Sequence, residues 1–250
     1  MQSNKAGFTL VEMSMVMLII GLVIGGVIVG NDLIRHSKLN RIMTQVNSFV
    51  TSANTFRLKY DCVPGDCQNA VAMLGASADG NGNGNIEGIF GSGEEFYFWE
   101  QLGLAGLING KYIGTANPPE YWSYRRTWQV GYNAPPTGIN EKSFFRIFYV
   151  GLVSNVYNHS YHLGDLGTII ATFAYCTNSF AGCATGTLSG KDGSYIDKKY
   201  DDSNSWFGNI QAIINSTCNG TDPAYGGNGK YITDSTTTPT SCAMVFKTKM

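Results

Sequence analysis

Charge is scarce in this chain. Only 14% of its 250 residues are Asp, Glu, Lys or Arg, against roughly 25% in an average soluble domain, and the two signs cancel to a net charge of −1. No strong field exists to hold nucleic acid or an anionic surface by charge alone, which argues against a mainly electrostatic role on DNA or RNA. Histidine is scarcer still, with three residues. The sequence has no Gly-x-Ser-x-Gly elbow, no phosphate-cradling glycine loop with its Lys, and no His–Cys pair placed as base and nucleophile. It reads as a non-enzyme. Neither proline nor glycine occurs between Asp32 and Tyr60, so nothing there interrupts a helix.

What is abundant is glycine, at 31 residues, and apolar side chains, at 43%, enough for a packed core under a polar but uncharged surface. The cysteines are Cys62, Cys67, Cys176, Cys183, Cys218 and Cys242, an even number among Gly, Pro, Asn and Thr. That usage fits an oxidising compartment. Six cysteines allow 15 connectivities; the short spacings favour Cys62 with Cys67 and Cys176 with Cys183, leaving Cys218 with Cys242. Gaps of four, six and twenty-three residues do not suit zinc.

From Phe8 to Gly30 the chain carries one charge, Glu12, in 23 residues. As a helix this run is roughly 34 Å long, sufficient to cross a bilayer. A carboxylate in such a segment is expensive without a cationic partner and is a functional hypothesis by default. The apolar run supplies no cation, so the partner must come from elsewhere. A new α-amino group at Phe8, on a neighbouring copy packed with a stagger, is one candidate.

Lys5-Ala6-Gly7-Phe8-Thr9-Leu10-Val11-Glu12 resembles the prepilin cleavage and methylation motif of type IV pilins and type II secretion pseudopilins. The resemblance implies that a prepilin peptidase cuts after Gly7 and methylates the new N-terminal Phe8, and that Glu12, with Thr9 beside it, serves subunit assembly. Gly30–Arg35 and Tyr60–Asp66 are similar to a large-pilin subgroup, so the resemblance covers the first 67 residues. Its implied setting is a single pass through a bacterial inner membrane before assembly. A pilus or pseudopilus in the periplasm or at the cell surface follows, built with other copies and other pilins on an inner-membrane platform. Many relatives have a proline near Val29; this chain has Gly21, Gly25, Gly26 and Gly30 instead. Arg35, Lys38 and Arg41 follow the span while Lys5 alone precedes it, which by the positive-inside rule would keep the bulk of the chain in the cytoplasm. The six cysteines and the leader-like start outweigh that rule.

After Gly30, apolar residues recur at Leu39, Ile42, Met43, Val46, Phe49, Val50, Ala53 and Phe56, a helical stripe. The expected fold is α+β and pilin-like, with one long N-terminal helix, membrane-spanning and then amphipathic, packed on an antiparallel sheet. The expected divisions are a leader at 1–7, a polymerisation helix at 8–30, its continuation at 31–60 and a disulfide-bonded head at 61–250. A helix broken at Gly30-Asn31 is the alternative. Ser92 and Glu95 have capping-box spacing ahead of Phe96, Trp99, Leu102 and Leu104, predicting a short helix. Strands are expected at 144–153, 168–175, 210–214 and near 244–246.

Residues 79–87 place oxygen-bearing Asp79, Asn81, Asn83, Asn85 and Glu87 at alternate positions, like the start of a calcium loop. Phe90 stands where the twelfth-position carboxylate belongs, so Glu94 or Glu95 would have to fold back; a plain Gly/Asn surface loop explains the same letters. No other cofactor is implied. His159, His162 and Asp165 have ligand-like spacing, but Gly164 and Gly167 interrupt any shared helix face. Tyr121, Trp122, Tyr124, Arg125, Arg126 and Trp128 would suit stacking on single-stranded DNA or a glycan, the basis of an alternative reading as a minor, surface-binding pilin; core and subunit-interface packing is the commoner explanation of such aromatics. The run Tyr195–Asp202 followed by 208–212 resembles the C-terminal part of some large prepilin-type proteins, its charges suiting salt bridges, a second ion site or a solvated face.

Overall fold

The computed structural model describes residues 7–87, 93–115, 128–150, 167–173, 187–213, 229–233 and 242–248. They divide into two compact units, Met1–Asn40 and Arg41–Met250. Helix α1 runs from Leu10 to Tyr60 without a break, so the glycines between Gly21 and Gly30 do not end it and the interrupted alternative does not hold. In the first unit the apolar side chains from Leu10 to Ile34 lie in the open, with Leu10, Leu18, Leu22 and Val29 each about 70–90% exposed, and Leu39 is the first to be buried. A helical stretch apolar on every face and exposed among the described residues suits a lipid solvent or packing against other helices.

In the second unit the same helix is one-sided. Ile42, Val46, Phe49, Ala53 and Phe56 are buried while Asn47, Thr51 and Thr55 face out, the alternation of three and four that keeps one face inward. Phe49 is the pivot of this packing, its ring meeting Trp99 edge-on at 5.0 Å and Phe145 at 5.2 Å. Trp99 lies on α3 (Glu94–Leu104) and Phe145 on β1 (Phe144–Val150). A short helix, α2 (Ala70–Leu74), precedes α3.

The sheet adds β2 (Gly167–Phe173), β3 (Ile210–Ile213) and β4 (Ala243–Lys247), in the order β1-β2-β4-β3. Every pairing is antiparallel, with Phe144 opposite Phe173, Ile170 opposite Phe246 and Ile210 opposite the same Phe246 from the other side. The last strand thus enters between two earlier ones. Its Ala243–Phe246 stretch is buried on both faces, as befits a central strand. Four strands near the expected positions, with α1 packed on β1 through Phe49, make the fold α+β with a long N-terminal helix and an antiparallel sheet.

Two elements differ from expectation. Helix α3 opens at Gly93, in a left-handed conformation with no side-chain cap; Ser92 of the expected capping box lies outside the described residues, and Glu95 forms an ion pair with Arg146 of β1 at 2.8 Å, both side chains largely buried. The Arg146 guanidinium also lies over Trp128, 5.5 Å from the ring centre. Removing one partner of such a buried pair typically costs 3–5 kcal/mol, because the other charge is left uncompensated. The second difference is helix α4 (Gly190–Tyr200), within a segment read only as a charged run. Its signal was in the sequence: Ser189 and Asp192 form a reciprocal capping box, the Ser189 hydroxyl accepting from Asp192 N and the Asp192 carboxylate accepting from Ser189 N at 3.2 Å.

Candidate functional site

Residues 7–9 precede the helix and are exposed, and among the described residues nothing beyond its chain neighbours lies within 4 Å of where a Gly7 side chain would be. The Gly7–Phe8 peptide bond is therefore in open, non-helical backbone, the form a peptidase needs. Phe8 is 85% exposed. Thr9 then caps the start of α1. Its backbone N–H and its hydroxyl both donate to Glu12 Oε2 at 2.8 Å, and Glu12 N donates back to Thr9 Oγ1 at 3.3 Å. This is a capping box, with the acid at the third helical position. It corrects the expectation that Glu12 has no partner within a single chain. The partner is not a cation; it is the unsatisfied N–H of a helix start plus a hydroxyl, which also complements the positive end of the helix dipole. Ser14 donates to Val11 O at 2.8 Å, so each polar side chain in this first turn is satisfied locally. None of the capping atoms belongs to a residue before Thr9, so a cut at Gly7–Phe8 leaves the box intact.

Residues 2–28 match the prokaryotic N-terminal methylation motif. The motif is the hallmark of type IV pilins and pseudopilins, and it supports a membrane-anchored precursor that is processed by a prepilin peptidase. No curated protein and no solved structure matches the chain. Gly7, Phe8 and the capped Glu12 all lie within the matched stretch, in a span of six residues. Helix α1 is the one helix among the described residues long and apolar enough to cross a membrane.

The glycine-asparagine loop sits elsewhere, in the second unit, and its geometry centres on Asp66, which the sequence did not single out as a ligand, and on Glu94, which it did. Asp66, buried in the Cys62–Cys67 turn, accepts from the backbone N–H groups of Gly82 (2.6 Å), Asn83 (3.1 Å) and Gly84 (2.6 Å). Converging N–H groups of this kind form an anion-binding nest. Gly80 passes so close to the Asp66 backbone that a side chain there would collide with it. Glu94, at the start of α3 and buried, accepts from Asn81 N at 3.0 Å and Glu87 N at 2.9 Å; its pKa is raised by burial. Glu94 is thus the acid that folds back on the loop, and Glu95 is not. Of the five residues proposed as calcium ligands, Asn81, Asn83 and Glu87 come together, the two carboxamides donating to Glu87 at 3.0 and 2.9 Å. Asn85 N donates to Asn83 Oδ1 at 2.8 Å. Asp79 turns away to accept from Val71 N at the start of α2. Gln101 of α3 anchors the neighbouring turn by accepting from Gly65 N at 2.7 Å, and an added side chain at Gly65 would meet Glu94 O at 2.7 Å.

Cys62 and Cys67 are bonded as expected. Cys242 is disulfide-bonded too; Cys176, Cys183 and Cys218 lie outside the described residues, as do His159, His162 and Asp165. Of the aromatic and arginine run, Trp128 is described, and it is core: 4% exposed, 4.3 Å from the Phe96 ring and stacked on Phe144 at 5.4 Å. Tyr121, Trp122, Tyr124, Arg125 and Arg126 fall outside.

The charged run 195–202 is not a solvated face throughout. Asp197, on the inner side of α4, is fully buried and lies with Asp201 and Asp202 in a group whose carboxylate oxygens are within 4.8 Å of one another. Asp197 accepts from Tyr231 Oη at 2.8 Å and Ser203 N at 3.0 Å. Asp201 accepts from Asn209 N and from Ile210 N, the latter at 2.8 Å, at the entry to β3. Desolvation, with the neighbouring carboxylates adding to it, pushes the Asp197 pKa up to about 6 against the two hydrogen bonds that lower it. The same burial and the Asp197 charge push Tyr231 upward. An acid whose folded pKa lies above its unfolded value of about 3.8 favours the native state when protonated, so its stabilisation is full below the lower value and lost as pH rises through the upper one. Thermal unfolding of the intact chain is therefore expected to shift upward by several degrees between about pH 7.5 and about pH 5, and Asp197→Asn should shrink that shift. A melting temperature that falls over this interval would contradict the assignment.

Proposed function

We propose that this chain is a structural subunit of a type IV pilus-like filament or a type II secretion pseudopilus. The observation that carries the reading is the methylation motif placed on an exposed, unbroken apolar helix whose first turn holds the acid at Glu12. A prepilin peptidase cuts after Gly7 and methylates Phe8. The precursor waits in the inner membrane with α1 spanning it through residues 8–30 and the disulfide-bonded residues 61–250 outside. Assembly then exchanges lipid for the α1 helices of neighbouring copies.

Glu12 has two successive partners in this scheme. In the single chain it caps its own helix through Thr9, which lowers the cost of holding a carboxylate in an apolar setting. In a staggered filament the Phe8 amine of a neighbour approaches it. Desolvating two charges offsets much of their attraction, so the pair specifies register more than it adds stability. The loop at 79–87 is the second part of the proposal: a weak calcium site of the roughly 10⁻⁴–10⁻³ M class, formed when the Asn81 and Asn83 carboxamides turn their oxygens toward a cation held by Glu87.

Mass spectrometry of the purified filament subunit is expected to find Phe8 at the N-terminus, N-methylated, with residues 1–7 gone; an intact Met1 in assembled material would exclude the reading. Glu12→Val, as the sole copy, should leave cleavage and membrane insertion unchanged, since an apolar residue suits the span, and sharply reduce filament yield. Wild-type yield from that variant would remove the charge-register mechanism while leaving the processing reading standing. Calcium at about 5 mM should raise the melting temperature of the intact protein, with Glu87→Gln abolishing the rise; no rise would mean that hydrogen bonds alone hold the loop.

A further inference from the structure

We propose that Arg35 and Lys38, on the exposed turns of α1 directly after the span, bind the phosphate groups of anionic phospholipids. This rests on the reading of residues 8–30 as a membrane span.

The argument begins with the misfit noted in the sequence. Cations after the span and few before it oppose the orientation that the rest of the chain requires, so these residues are not there to direct insertion. Their position offers another use. Residues 31–38 are exposed, among them Leu33 at 69% and Ile34 at 58%, so the first unit presents a short stretch with apolar and basic side chains side by side just beyond Gly30. At about 1.5 Å per residue, Arg35 is ~7 Å and Lys38 ~12 Å past Gly30, and the headgroup layer on each face of a bilayer is about 5–7 Å deep. Arg35 therefore lies at phosphate level with Leu33 and Ile34 buried beneath it, and the long Lys38 side chain reaches back to the same level.

The chemistry favours a phosphate over a zwitterionic headgroup. The guanidinium of Arg35 offers a planar fork of donors that matches phosphate oxygens, and Lys38 adds a point charge. Asp32, one turn earlier, is the nearest opposing charge on this helix, and the two cations outnumber it. Each cation favours an anionic headgroup, by about fivefold at a strongly anionic surface and by less in a zwitterionic one. A collar of this kind also sets depth. Leu10, the first residue of α1, lies 25 residues before Arg35, about 37 Å along the helix, and Phe8 lies beyond it, so the stretch approaches the full 40–45 Å of a bilayer with its headgroups. With Arg35 held at one surface, the Phe8 amine and Glu12 sit at the opposite interface and not at mid-bilayer.

The test is electron paramagnetic resonance on the full chain reconstituted in phosphatidylcholine vesicles. These carry traces of chain-spin-labelled phosphatidylglycerol in one sample and spin-labelled phosphatidylcholine in the other. The motionally restricted fraction is expected to show a preference of about threefold to fivefold for phosphatidylglycerol, weakened by salt at about 0.5 M. Arg35→Gln combined with Lys38→Gln should lower the preference about twofold or more, whereas Lys198→Gln with Lys199→Gln on α4 should leave it unchanged. Equal association of the two lipids, or a preference that survives the Arg35/Lys38 variant, overturns the proposal. Absence of any restricted fraction with either lipid would show that α1 is not in the bilayer, and the spanning reading would fall together with the collar.

Discussion

A single helix in this protein has to satisfy two different solvents, and most of the remaining architecture follows from how α1 meets that constraint. Backbone hydrogen bonds are closed within the helix, so its first half can be apolar on every face without leaving polar groups unpaired in lipid. From Arg41 onward the same backbone geometry carries one apolar face only, and that face supplies Ile42, Val46, Phe49, Ala53 and Phe56 to the core. Phe49 joins α1 to both α3 and β1. The sheet and the second half of α1 thus share one core.

The polar groups of the chain are managed by the same logic at each place where a helix begins or a loop turns inward. Glu12 with Thr9, Asp192 with Ser189, Asp79 with Val71 N, and Asp66 and Glu94 with the 79–87 loop all use a carboxylate to collect backbone N–H groups. In a chain with so few charges, several of the acids are internal fasteners and not surface solubilisers. Asp197 is the extreme case, buried beside two other carboxylates and held by Tyr231 and Ser203 N. Its raised pKa makes its own contribution to stability grow in mild acid, the direction opposite to that of a carboxylate with a depressed pKa.

The N-terminal stretch is the part on which the core of the second unit does not draw. The Gly7–Phe8 bond is exposed, the capped turn behind it is self-sufficient, and the apolar side chains from Leu10 to Ile34 are exposed among the described residues. Those three properties suit the membrane-anchored, peptidase-processed precursor that the methylation motif supports.

The N-terminal motif, the span and the inward stripe of α1 were legible in the sequence because each depends on local spacing: a fixed run of residues around a cleavage point, an uninterrupted apolar stretch, and a period of 3.6. The Cys62–Cys67 bond was legible for the same reason, its five-residue separation leaving few competitors. The roles of Asp66, Glu94, Glu95 and Asp197 were decided only by tertiary structure. Asp66 meets a loop 16–18 residues downstream, and Glu95 meets Arg146 at a separation of 51. Tyr231 meets Asp197 across 34. No periodicity encodes such meetings, because they arise when packing of α3 on β1 and of α4 beside β3 brings unrelated stretches together. Whether a carboxylate becomes a ligand, a cap or a buried ion-pair partner depends on which N–H group or cation that packing delivers to it.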